Sequence, residues 1–155
     1  MSVSAFPHRL AIDPDDYSAN GVGHTSDGRQ VFITEPFIPA LSGERGRQFL
    51  AVYSFDEAGE LLEAQIDEYG ATNGSDSAIE QSLDERRTAA LGQLEPRRIE
   101  IRPFEVKRFG TVFGLVPRPS DEPEEVAYWD TWWVEAQPGN YMAFHAPWDS
   151  GKYDT

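Results

Sequence analysis

Gln48-Phe49-Leu50-Ala51-Val52-Tyr53-Ser54-Phe55-Asp56 decides the fold. Phe49, Ala51, Tyr53 and Phe55 fall on one side of an extended strand, because successive side chains alternate between faces. Leu50 and Val52 fall on the other side. A strand apolar on both faces is central in its sheet or covered on both sides. Asp56-Glu57-Ala58-Gly59-Glu60 follows as a hairpin loop, with Gly59 at the position that needs a left-handed backbone. The return strand over 61–68 places Leu62, Ala64 and Ile66 inward and Glu63, Gln65 and Asp67 toward water.

On the N-terminal side, Asp27-Gly28 opens a strand over 29–35, in which Val31 and Ile33 oppose Phe32 and Thr34. Pro36 and Pro39 end it. Further upstream, 1–28 is rich in Pro, Asp, Asn, Ser and Gly. It reads as an extended arm with one apolar anchor, Leu10-Ala11-Ile12. Asp13-Pro14-Asp15-Asp16 is turn chemistry, in which aspartates cap their own backbone.

On the C-terminal side, Ser77-Ala78-Ile79-Glu80 is a capping box that starts a helix running to about Leu94. Ile79, Leu83, Ala90, Leu91 and Leu94 form its apolar stripe, and Asp84 can pair with Arg87. Strands are predicted over 98–109, 111–117, 128–135 and 141–145. In the first, Ile99 and Ile101 give way to Phe104 and Val106 across Arg102-Pro103, a parity break that signals a bulge or an edge. Two large rings, Trp148 and Tyr153, stand close to the C-terminus. They predict that 146–155 docks on the body. The whole reads as a single α+β domain over 1–155. Its sheet is mostly antiparallel, with about seven strands in the order β-β-β-α-β-β-β-β, and the main helix packs on one face.

Composition sets the outer limits. A chain of 155 residues with 39% hydrophobic residues, 4 Trp, 6 Tyr and 9 Phe can form a core without staples. With 0 cysteines, disulfides and thiolate chemistry are excluded, which fits a reducing, cytoplasmic setting. The opening residues lack the pattern of a secretory signal, and every apolar run is too short for a membrane span. The net charge of -14 disfavours nucleic acid; it serves solubility first, and it would also attract a basic protein partner.

Candidate sites are few. Gly21-Val22-Gly23-His24-Thr25-Ser26-Asp27-Gly28 resembles a phosphate loop, but a strand follows it and the Gly-Lys-Ser/Thr ending is missing; it reads as a lead-in loop. Asp13, Asp15 and Asp16 lack the spacing of a calcium loop. His8, His24 and His145 are never a helical turn apart, so no local metal pair is expected, and neither metal nor cofactor is assigned. Trp129, Trp132 and Trp133 sit on both faces of one strand. One set of rings belongs to the core and the other can form an interface. With Glu122, Glu124 and Glu125 in the preceding loop, they are the interaction candidates. The alternative is a polar cleft of His145, Asp149, Asp154 and Asp13, as in a small-ligand-binding or hydrolase-like domain; no Gly-x-Ser-x-Gly elbow supplies a nucleophile. A DNA mimic needs an array of acids that cannot be read from turns and a helix.

Three stretches carry a resemblance: Asp27-Gly28-Arg29-Gln30-Val31-Phe32, the Phe-Gly-Leu-Val run at 113–116, and the tail from Phe144 to Thr155. In them the chain resembles a bacterial, mainly actinobacterial, family often labelled formate hydrogenlyase regulatory-like. The tail is the specific part. The resemblance implies a bacterial cytoplasmic protein and carries over no catalytic residue. The charge of -14, the small size, the missing catalytic motif and the ring-rich late strand point to a non-enzymatic interaction protein, a regulator or an immunity protein that neutralises a toxin.

Overall fold

A computed structural model describes residues 8–38, 46–68, 77–92, 94–119, 132–139, 141–145 and 147–155. The described residues form a mostly antiparallel β-structure with one helix, α1 (Ser77–Leu91). Three strands make the framework: β3 (Gln30–Thr34), β5 (Arg47–Phe55) and β6 (Leu61–Glu68). β5 lies between the other two, with Phe32 opposite Tyr53 and Tyr53 opposite Ala64. β4 (Phe37–Ile38) continues the β3 register along β5 beyond Pro36, with Thr34 opposite Ala51 and Phe37 opposite Gln48.

Both faces of β5 are covered, as its alternation requires. Phe49, Ala51, Tyr53 and Phe55 enter the main core. Leu50 joins Val31 and Ile33 in a smaller cluster, against which Ala90, Leu91 and Leu94 pack from the helix and its exit. The predicted stripe thus docks through its C-terminal end; the side chains of Ile79, Leu83 and the capping box lie outside the described residues. Arg87 bridges Asp84 and Glu35, which ties the helix to the end of β3.

One inward prediction is corrected. Leu62 is 53% exposed, and Leu61 enters the core instead. The register shifts between Ser54 and Phe55, so Phe55 faces Leu61. An irregularity of one residue moves every side chain beyond it to the opposite face.

The arm is also more ordered than its composition suggests. β1 (Leu10–Ile12) is fully buried, and β2 (Gly21–His24) pairs β3 on one side and β7 (Glu95–Pro96) on the other. The expected lead-in loop at 21–24 is therefore a strand. A Cβ at Gly23 would collide with the Glu95 carbonyl, so glycine is what lets the proline-bearing β7 approach.

β1 pairs β8 (Ile99–Ile101). β9 (Phe104–Arg108), β10 (Thr111–Pro119), β11 (Trp132–Gln137) and β12 (Ala143–Phe144) form a separate four-stranded sheet. The parity break at Arg102-Pro103 is thus the point where the chain leaves one sheet for another. Phe104 then stands edge-on to Tyr53 at 4.5 Å and to Phe55 at 5.3 Å. The main core draws side chains from all three sheets: Leu10, Ile12, Phe32, Phe49, Ile99, Phe113, Leu115, Val134 and Phe144. Burial pushes the Tyr53 hydroxyl well above its ordinary pKa, and among the described residues that hydroxyl has no partner.

The tail docks. Trp148 and Tyr153 pack on the main core. The Ala11 amide donates to the Trp148 carbonyl at 2.8 Å, and the Asp13 amide to the Gly151 carbonyl at 3.0 Å. Ala143 and Asp154 exchange two hydrogen bonds of 2.8 Å. The tail therefore lies between β1 and β12.

Candidate functional site

Of the interaction candidates, Trp132 and Trp133 open β11, opposite Pro119 and Arg118. Both rings are half-buried and neither belongs to the buried core. Alternation puts Trp133, Glu135 and Gln137 on one face. Glu135 Oε2 accepts from the Trp133 indole N–H at 2.9 Å; its Oε1 accepts from Gln137 Nε2 at 2.8 Å and Arg118 Nε at 3.2 Å. With its side chain only 16% exposed, this carboxylate fixes the ring while leaving part of it accessible. Trp129, Glu122, Glu124 and Glu125 lie outside the described residues.

The alternative polar set falls into two groups. His145 Nδ1 lies 3.4 Å from Asp154 Oδ2, brought there by the Ala143–Asp154 ladder. Both side chains are more than half exposed, and among the described residues no hydroxyl bonds to the ring. Asp13 instead receives Arg98, with Nε to Oδ1 at 2.6 Å and Nη2 to Oδ2 at 3.1 Å. Asp149 adds its charge near the same guanidinium.

A cleft of about 450 Å³ between the first turn and the tail is lined by Asp13, Asp15, Tyr17, Lys152 and Tyr153, among others. His145, Asp149 and Asp154 do not line it. The bond from Arg98 outweighs burial and holds the Asp13 carboxyl below its ordinary pKa. Burial alone would raise Asp15, but the Tyr153 hydroxyl at 2.6 Å and the amides of Tyr17 and Ala19 at 2.9 Å lower it. Burial, then the bond to Asp15, pushes the Tyr153 hydroxyl up. Asp15 thus caps the backbone of its own turn and anchors the tail through Tyr153, while Asp13 holds Arg98.

Sequence reading missed a larger cleft. About 520 Å³ opens beside β2 and β8, lined by Arg9, His24, Gly28, Gln30, Glu57, Arg97, Arg98 and Glu100. Gln30, only 5% exposed, is its brace. Its Nε2 donates to the carbonyls of Asp56 and Glu100, each at 2.9 Å, and its Oε1 accepts from the Glu100 amide at 2.6 Å. His24 Nε2–H donates to the Arg98 carbonyl at 2.8 Å. The signal in the sequence was Arg97-Arg98, adjacent cations in a chain that has 13 basic residues against 27 acidic ones.

Among the described residues, no three His, Asp or Glu side chains converge as metal ligands, and no helix is long and apolar enough to cross a membrane. Comparison with family models, curated proteins and solved structures finds no match to this chain.

Proposed function

We propose that the chain is a non-enzymatic protein-interaction module, a regulator or immunity-type protein of the bacterial cytoplasm. Its contact surface is the ring-bearing start of β11 with the acidic segment before it, and its partner is a basic protein. The framework is an α+β domain of about seven principal strands in β-β-β-α-β-β-β-β order, with β11 near its end. The observation that carries the reading is Trp133, half-buried outside the core and fixed by Glu135. A rigid indole of this kind loses little entropy on binding and serves as an anchor in interfaces. The net charge of -14 would steer a cationic partner.

The test is capture of partners by the protein and by a Trp132→Ala/Trp133→Ala variant, with the affinity for each recovered protein then measured on purified material. The reading expects a basic partner whose association rate falls as salt rises, and whose affinity drops at least about tenfold in the variant. An unchanged set of partners, bound equally tightly by the variant, rejects it.

A further inference from the structure

The braced cleft is lined by five charged side chains, Arg9, Glu57, Arg97, Arg98 and Glu100, whose partners can be resolved one by one. Arg9 meets Glu100 at 3.4 Å, and Arg98 is committed to Asp13. Two charges remain. Among the described residues, neither the Arg97 guanidinium nor the Glu57 carboxylate has a hydrogen-bond or ion-pair partner, yet both line this cleft and both are exposed.

Their placement is fixed from behind. Glu57 rides on the β5–β6 hairpin loop, where the Asp56 carboxylate accepts the amides of Ala58 and Glu60, each at 2.9 Å. Arg97 precedes β8. Gln30 bonds to both walls at once, to Asp56 on the loop and to Glu100 on β8. The brace is buried and uses its amide on both sides, so the walls keep their separation. A cleft of about 520 Å³ lies within the size range of small-molecule sites.

We infer that this cleft binds a small zwitterion of the amino-acid class, with its carboxylate on Arg97 and its ammonium on Glu57. A guanidinium offers a planar fork that matches a carboxylate in two-point contact, and a free carboxylate accepts an ammonium. A plain anion fits less well for two reasons. Glu57 would repel it inside the cleft, and the net charge of -14 would oppose its approach. A neutral dipole meets neither obstacle. This inference is independent of the β11 reading, since it uses no residue of that face.

The test is titration of the labelled protein with glycylglycine and each free proteinogenic amino acid, followed by backbone amide shifts. N-acetylglycine, which lacks the ammonium, and glycinamide, which lacks the carboxylate, are the controls. The inference expects saturable shifts at Gly28 and Arg97 with at least one zwitterion, and about tenfold weaker binding of its matching N-acetylated and amidated forms. Arg97→Gln and Glu57→Gln should each weaken the zwitterion about tenfold while leaving the melting temperature unchanged, because both side chains are exposed and, among the described residues, unpaired. Glu57→Gln should leave the binding of N-acetylglycine unharmed. No saturable shift with any zwitterion at about 10 mM overturns the inference, since such a Kd corresponds to almost no useful affinity. So does N-acetylglycine binding as tightly as the free zwitterion, which would mark a plain anion site.

Discussion

The framework of β3, β5 and β6 and the clasp that Asp13, Asp15 and Arg98 make with the tail are held by different forces. In the framework, Phe32, Phe49, Tyr53 and Phe55 are essentially shut off from water, and the strands that carry them are near neighbours in the chain. In the clasp, Asp13, Asp15, Arg98 and Tyr153 keep one foot in solvent and join residues up to 138 positions apart. Burial of apolar area is large and insensitive to pH; exposed ion pairs and hydrogen bonds are each small and depend on protonation. The clasp therefore closes the molecule at low energy, and the two clefts with charged linings sit beside it.

The contrast can be broken at several points. Phe49→Ala removes a ring that stands edge-on to Phe113 at 4.8 Å and has the Arg47 guanidinium 5.2 Å from its centre. It should cost about 3–5 kcal/mol in a denaturant titration; a loss below about 1 kcal/mol would mean that the framework core is not packed as it stands. Gly23→Ala forces the Glu95 carbonyl away from β2 and should cost about 2 kcal/mol in the same titration. A neutral result would mean that β7 does not close against β2.

Tyr153→Phe deletes the bond to Asp15 and the acceptor of the Ser18 amide at 3.0 Å. The expected cost is about 1 kcal/mol, modest because Asp15 is exposed. A cost as large as that of Phe49→Ala would erase the distinction between the two regions.

The smallest effect is one of pH. Asp13 and Asp15 have lowered pKa values in the folded protein. A carboxylate whose folded pKa is depressed contributes stability above its unfolded pKa, about 3.9, and that contribution is lost as pH falls through the folded value. Thermal melts between about pH 6 and pH 3 should therefore show stability falling toward the acid end, less steeply in Asp15→Asn. An equally steep fall in the variant would remove Asp15 from the account.

The framework was legible because its information is local. Alternation along β5 named its two faces, and Gly59 was placed in the hairpin at a backbone φ of 88°. Leu62 was misplaced because a bulge depends on the partner strand, which alternation within one segment does not report. β2 reads as a loop because glycines at 21 and 23 carry no apolar side chain to reveal its pattern; Gly21 is needed for the close approach of Ile33 on β3, and Gly23 for that of Glu95 on a strand some 70 residues later. The tail was legible through its two rings. The braced cleft was not, because Gln30, Glu57 and Arg97 come from separate segments, and nothing in any one of them shows that the other two converge on it. In β11 the sequence located the rings, but the hold of Glu135 on Trp133 also requires Arg118 from the neighbouring strand.

Hydrogen exchange of the full chain tests the division between framework and clasp most directly. The amides of Ala11, Asp13, Ala143 and Asp154 each donate across the joint between the tail and its neighbours. They should be protected well above free-peptide rates, yet open before Tyr53 and its β5 neighbours, since low-energy regions open first. Exchange of those four amides at free-peptide rates would contradict the clasp, and protection equal to that of β5 would contradict its being the weaker region.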